Sequence, residues 1–182
     1  MQNKLLIGSL AALASWTVAE DVFSQDPGAT NLGDYVGKQA FAPRFPQDEQ
    51  TKKLIALYDQ GVAEYQHKQY DSAIGSFTAI LQTNPESRIA AVVYLARAQA
   101  FVARKDFKKA IADGTEAIRL DRRLPAAYNT RGVAYGSAGD FSRAVNDFEN
   151  AVRLDRRFGD AQKNLELARR YQKQQSANRR AK

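Results

Sequence analysis

The chain has 182 residues, enough for one domain or slightly more, and an ordinary 44% of them are hydrophobic. It has no cysteine, which excludes disulfides, thiol catalysis and a lipidated cysteine anchor. The net charge of +7 is concentrated at one end: six basic residues and no acid lie from Arg169 to Lys182, leaving 21 basic against 20 acidic residues elsewhere.

Met1–Ala19 is laid out as a secretory signal peptide. Lys4 gives a positive start, Leu5–Ala14 a short apolar stretch, and Thr17-Val18-Ala19 small residues before Glu20. The apolar run is shorter than the ~20 residues that span a bilayer comfortably. The expectation is export, periplasmic or secreted, with cleavage near Ala19. The alternative is an uncleaved anchoring helix. Residues 20–47 form a linker, broken by Pro27, Gly28, Gly33, Gly37, Pro43 and Pro46. Leu32, Tyr35, Val36, Phe41 and Phe45 make it too apolar for a plain spacer. It either docks on the domain, across Tyr58 and Tyr65, or serves only as a tether.

Helical signals then occupy residues 48–175. Asp48–Lys68 reads as a first helix, with Asp48 and Glu49 at its positive end. Asp71–Thr83 is its partner, stopped by Asn84-Pro85. Ser87 is a candidate cap for a third helix running to about Lys105, and Asp106 and Asp140 stand as N-caps of the fourth and sixth. Pro125 suits the first turn of the fifth, which Gly139 closes. A seventh helix covers 159–175, and 176–182 reads as a basic disordered tail.

Part of this region is written twice. DFKKAIADGTEAIRLDRR (106–123) recurs 34 residues later as DFSRAVNDFENAVRLDRR (140–157). The preceding helices keep the register: Tyr94 recurs as Tyr128, Arg97 as Arg131, Ala98 as Gly132, Ala100 as Ala134 and Phe101 as Tyr135. Such a period marks stacked supersecondary units. The pattern resembles the tetratricopeptide repeat, a pair of antiparallel helices. Ala98 and Gly132, Ala110 and Ala144, and Ala117 and Ala151 match its small positions, and Phe148 its aromatic one. Gly114 stands where the second aromatic belongs, so a thin core or a mid-helix weak spot is expected there. Arg122 and Arg156 replace the usual turn proline. A third copy begins at Leu54, carried by Gly61, Tyr70, Ala73, Phe77, Leu81 and Pro85. The resemblance implies an all-α fold: a short right-handed α-solenoid of three helix pairs (54–87, 91–124 and 125–158) plus a C-terminal capping helix.

Catalytic chemistry finds little support. The single histidine, His67, lies at the end of the first helix beside Lys68, with no cysteine or second histidine to share a metal. No nucleophile–base pairing can be argued for the serines and threonines. Asp113, Glu116 and Arg119 read as charges alternating on a solvated face. The expectation is a protein that is not an enzyme and has no cofactor, metal or small-molecule substrate.

In the resembled family the first helix of each pair lines a concave groove. The matching positions here are Ile55, Tyr58, Val62 and Tyr65, then Val92, Leu95, Gln99 and Val102, then Ala126, Asn129, Val133 and Gly136. From this set the candidate partner-binding residues are Tyr58, Val62, Tyr65, Leu95, Gln99, Val102, Asn129 and Val133, with the two tyrosines, Gln99 and Asn129 foremost. A subclass of the family grips acidic chaperone tails with Lys, Asn and Arg at set positions. This chain has Tyr58, Val62, Ala96, Ala126 and Thr130 there, so that partner class is set aside.

A second candidate surface is basic: Arg122, Arg123, Arg156 and Arg157 at the turns, with Arg169, Arg170 and Lys173 in the tail. The leading expectation is an exported scaffold or adaptor holding a protein or peptide partner in an apolar groove. The alternative is binding of an anionic envelope polymer, lipid or nucleic acid through the basic residues, with nucleic acid the weakest of the three.

Overall fold

The computed structural model describes residues 49–180, and all seven elements in that span are helices. They are α1 (Glu49–Gln66), α2 (Tyr70–Gln82), α3 (Ser87–Ala103), α4 (Phe107–Leu120), α5 (Pro125–Ser137), α6 (Phe141–Leu154) and α7 (Gly159–Arg180). The signal-peptide segment, the linker and its docking on the first repeat lie outside the described residues. Among the described residues no helix is long and apolar enough to cross a membrane.

The local signals act as chemistry requires. Asp106 and Asp140 accept hydrogen bonds from the backbone N–H of Lys109 and Arg143, at 3.3 and 3.0 Å, capping α4 and α6. Pro125 opens α5, where no N–H is needed. The turn within each unit passes through a left-handed residue at one repeat position: Lys68 (φ 62°), Lys105 (φ 66°) and Gly139 (φ 87°). Only the third copy uses the residue that adopts this conformation without steric cost. The turns lacking proline are closed by Asp121 and Asp155, whose Oδ1 atoms each accept a 2.8 Å bond from the N–H of Arg123 and Arg157.

Two boundaries differ from expectation. Ser87 is the first residue of α3, not its cap, and Glu86 precedes it without a side-chain capping bond. The seventh helix continues to Arg180, taking in residues 176–180 that read as disordered tail. Ala and Arg are good helix formers, Ser176 Oγ donates to the Gln172 carbonyl at 2.9 Å, and tertiary bonds hold the turn just before the extension. Gln172 donates to Ser142 Oγ at 3.2 Å and Gln175 to the Gly139 carbonyl at 3.5 Å.

Each helix packs on the next, and α1, α3, α5 and α7 also touch in sequence, forming one continuous layer flanked by the even helices. Small residues set the approach within a pair. A Cβ on Gly61 would lie 2.7 Å from the Phe77 ring, and one on Gly132 2.7 Å from the Phe148 ring. In the second unit, Gly114 is not a void. A Cβ there would lie 2.9 Å from Cβ of Arg131, so the stem of the next unit's arginine fills the space.

The junctions between units are lined by alanine. Ala117 and Ala151 are fully buried in one cluster with Leu95, Leu124, Ala126, Ala127, Phe158 and Ala161. Ala151→Leu is therefore expected to overpack the junction with α7 and cost about 1–3 kcal/mol, read from urea denaturation. Phe141 joins units as well as opening α6, because its ring stacks on Tyr171 of α7 at 5.5 Å.

Candidate functional site

The residues expected to line the groove divide sharply. Tyr58, Leu95, Val102, Asn129 and Val133 are buried, whereas Val62, Tyr65 and Gln99 are half-exposed. Tyr58 and Asn129, two of the four preferred for recognition, are thus core residues. Tyr58 is 4% exposed with its ring 5.6 Å from that of Phe77, and burial pushes its hydroxyl pKa well above the ordinary value. Asn129 is 0% exposed and its Oδ1 accepts from Asn164 Nδ2 of α7 at 3.1 Å. The causes differ: Tyr58 is covered by Phe77 of its own pair, whereas Asn129 of α5 is covered by α7 of the next unit.

What stays partly accessible is Val62 and Tyr65 on α1 and Gln99 on α3. Tyr65 lies against Tyr70 with ring centroids 5.6 Å apart. Its pKa is pushed up to about 12, first by burial and then by Tyr70. The phenol therefore stays protonated at neutral pH and offers a hydrogen-bond donor beside an apolar ring. At the positions where the chaperone-tail clamp of the resembled family would place Lys, Asn and Arg, Tyr58, Ala96, Ala126 and Thr130 are buried and Val62 is half-buried. None is charged.

A polar constellation missed in the sequence holds the units together. Arg97 of α3 donates from Nε and Nη2 to both oxygens of Asp113 on α4, at 2.7 and 2.9 Å, and from Nη1 to Thr78 of α2 at 2.9 Å. One period later Arg131 repeats the arrangement, with Asp147 at 2.8 Å through both nitrogens and Thr115 at 3.1 Å. Each guanidinium thus ties its own even helix to the one before. Asp113 and Asp147 are buried, which corrects the reading of Asp113 as a solvated surface charge. Its partner lies across the helix pair, sixteen residues away, instead of one turn along its own helix. Glu116 and Arg119 do form the exposed, within-helix pair that the spacing suggested. The recurrence of Arg97 as Arg131 and of Asp113 as Asp147 at a common period was the available signal.

Of the basic candidates, Arg122, Arg123, Arg156 and Arg157 are exposed at the two equivalent turns, and Arg170 and Lys173 are exposed on α7. The structure brings only Arg156 and Arg169 into one cavity. This is a cleft of about 440 Å³ between α6 and α7, lined by Glu149, Val152, Arg153, Arg156, Gln162, Leu165 and Arg169. His67 is exposed in the turn after α1. Among the described residues no cluster of three His, Cys, Asp or Glu side chains is placed to hold a metal ion.

Tetratricopeptide-repeat family models match residues 58–126 and 125–158. Solved structures agree. The TPR domain of Arabidopsis OM64 is 27% identical, covering 65% of this chain and 96% of its own, with a TM-score of 0.61. The Sgt2 TPR domain from Aspergillus fumigatus is 26% identical, covering 71% and 84%, with a TM-score of 0.63. The second TPR domain of human RPAP3, solved in complex with an HSP70 peptide, is 25% identical, covering 65% and 96%, with a TM-score of 0.60. No curated protein matches the sequence. The chain carries tetratricopeptide repeats, stacked in the all-α solenoid fold of that family.

Proposed function

We propose that this protein is an exported adaptor that binds a protein or peptide partner along its odd-helix layer. The observation that carries the reading is the partial exposure of Val62, Tyr65 and Gln99 on the odd helices of a tetratricopeptide scaffold. It offers apolar contact, a phenol donor and an amide, the combination that recognises a peptide with apolar side chains. A similar domain, that of human RPAP3, is solved with an HSP70 peptide. This chain has no cation at the clamp positions, so its partner is read as apolar instead of an acidic chaperone tail.

A photo-crosslinking amino acid at Tyr65 or Gln99 is expected to trap one discrete protein in vivo, and the same probe at exposed Arg119 on α4 is expected to trap none. Equal capture from all three positions, or none from any, would remove the groove from the account. Export rests on the layout of residues 1–19. N-terminal sequencing is expected to begin at Glu20, and finding Met1 on the isolated protein would overturn it.

A further inference from the structure

At the α6/α7 cleft a leucine stands where the repeat has its bridging arginine. Arg97 and Arg131 each point into their own even helix, and the residue one period further on is Leu165, which lines the cleft. Among the described residues no even helix follows α7. Val152 of α6 and Leu165 of α7 give the cleft an apolar floor. Its walls carry three arginines and one carboxylate, Glu149. Arg169 is held by Glu149 at 2.8 Å and Arg153 donates to Asn150 Oδ1 at 3.0 Å. Arg156 makes no ion pair among the described residues, and its carbonyl accepts from Gln162 Nε2 at 2.8 Å, which fixes the turn that presents it. Lys173 follows Arg169 one turn along the same helix face.

An apolar floor between arginines fits an occupant that alternates carboxylates with apolar side chains. The chain contains one. Residues 20–37 carry Glu20, Asp21, Asp26 and Asp34 with no basic residue, interleaved with Val22, Phe23, Leu32, Tyr35 and Val36. The reach is sufficient. From α1 to α7 there are three neighbour steps in the odd-helix layer, at about 8–10 Å each, or roughly 30 Å. The eleven residues 38–48 extend to at most about 40 Å. Being tethered, the segment meets the cleft at a high effective concentration, so modest contacts suffice. From this charge complementarity and reach we infer that the acidic segment 20–37 is the occupant of the α6/α7 cleft of its own chain. The inference is separate from the groove reading, since it concerns different residues and neither needs the other.

The absence of cysteine makes the test clean, because Ser24→Cys provides a single site for a nitroxide label on the whole isolated chain. The amide NMR signals of Val152, Leu165 and Arg169 are expected to lose intensity, while those of α2 keep theirs. Arg153→Glu combined with Arg156→Glu should restore the lost intensity. Both side chains are exposed, so the fold tolerates the change and its circular dichroism should be unaltered. No loss at the cleft, or a loss unaffected by the double charge reversal, would overturn the inference. So would a loss seen only when labelled and isotope-enriched chains are separate molecules, which would make the occupant a second copy. Arg156-dependent binding of phosphatidylglycerol vesicles without any intensity loss would assign the cleft to lipid headgroups instead.

Discussion

Asp147→Ala is expected to lower the unfolding free energy by about 3–5 kcal/mol, because it breaks a buried ion pair from one side. Asp147 is buried and holds both arms of the Arg131 guanidinium at 2.8 Å. The Asp147 hydrogen bond pushes the pKa of Arg131 above its ordinary value, outweighing the opposing effect of burial. Without the carboxylate, a cation whose side chain is only 19% exposed loses its counter-charge and cannot reach water freely. Its remaining bond, to the Thr115 hydroxyl, supplies no counter-charge. Asp147→Asn keeps the shape and part of the hydrogen bonding, so it should cost clearly less than the alanine change. Urea denaturation of the pair checks this. Equal losses for Asn and Ala would mean that the charge is irrelevant, and a loss below about 0.5 kcal/mol for Ala would mean that the bridge contributes nothing.

Phe148→Ala should cost about as much, 3–5 kcal/mol, for an unrelated reason. The ring is completely buried and lies so close to α5 that a Cβ on Gly132 would meet it at 2.7 Å. Truncation leaves a cavity in the cluster formed with Phe101, Val102, Val133, Phe141 and Ala168, which joins the second and third units to α7. The complementary change, Gly132→Ala, forces the ring aside and should destabilise as well. Combined with Phe148→Leu, which makes room, it should cost less than the sum of the two single changes. Calorimetry of the four proteins checks this, and strict additivity would show that Gly132 and Phe148 do not share the space assigned to them.

Much of the architecture was legible because it depends on nearest neighbours in the chain. Asp106 and Asp140 cap helices through bonds to the third residue beyond, and Pro125 opens α5 by its own ring geometry. The recurrence of Ala110 with Ala144 and of Ala117 with Ala151 marked where helices approach, since only small side chains permit it. Gly114 misled, because the atom occupying its space comes from Arg131, on the following unit. The end of α7 was also misplaced: Ser142 and Gly139, 30 and 36 residues upstream, hold Gln172 and Gln175, and the helix continues beyond them.

The groove shows the same division. Helical spacing put Tyr58, Val62 and Tyr65 on one face, and Leu95, Gln99 and Val102 on another. Spacing cannot tell how much of a face the neighbouring helix will cover. Packing within pairs and between units buried Tyr58, Leu95, Asn129, Val102 and Val133 and left Val62, Tyr65 and Gln99 partly exposed. Likewise Arg156 and Arg169 were visible as charges, but their meeting over Val152 and Leu165 was not. The sequence by itself determined the helices, their period and the caps, because these follow from short-range sterics and hydrogen bonding along one chain. Only the tertiary structure decided which arginines pair, which tyrosine faces solvent and where a cleft opens, because each depends on side chains brought together from different helices.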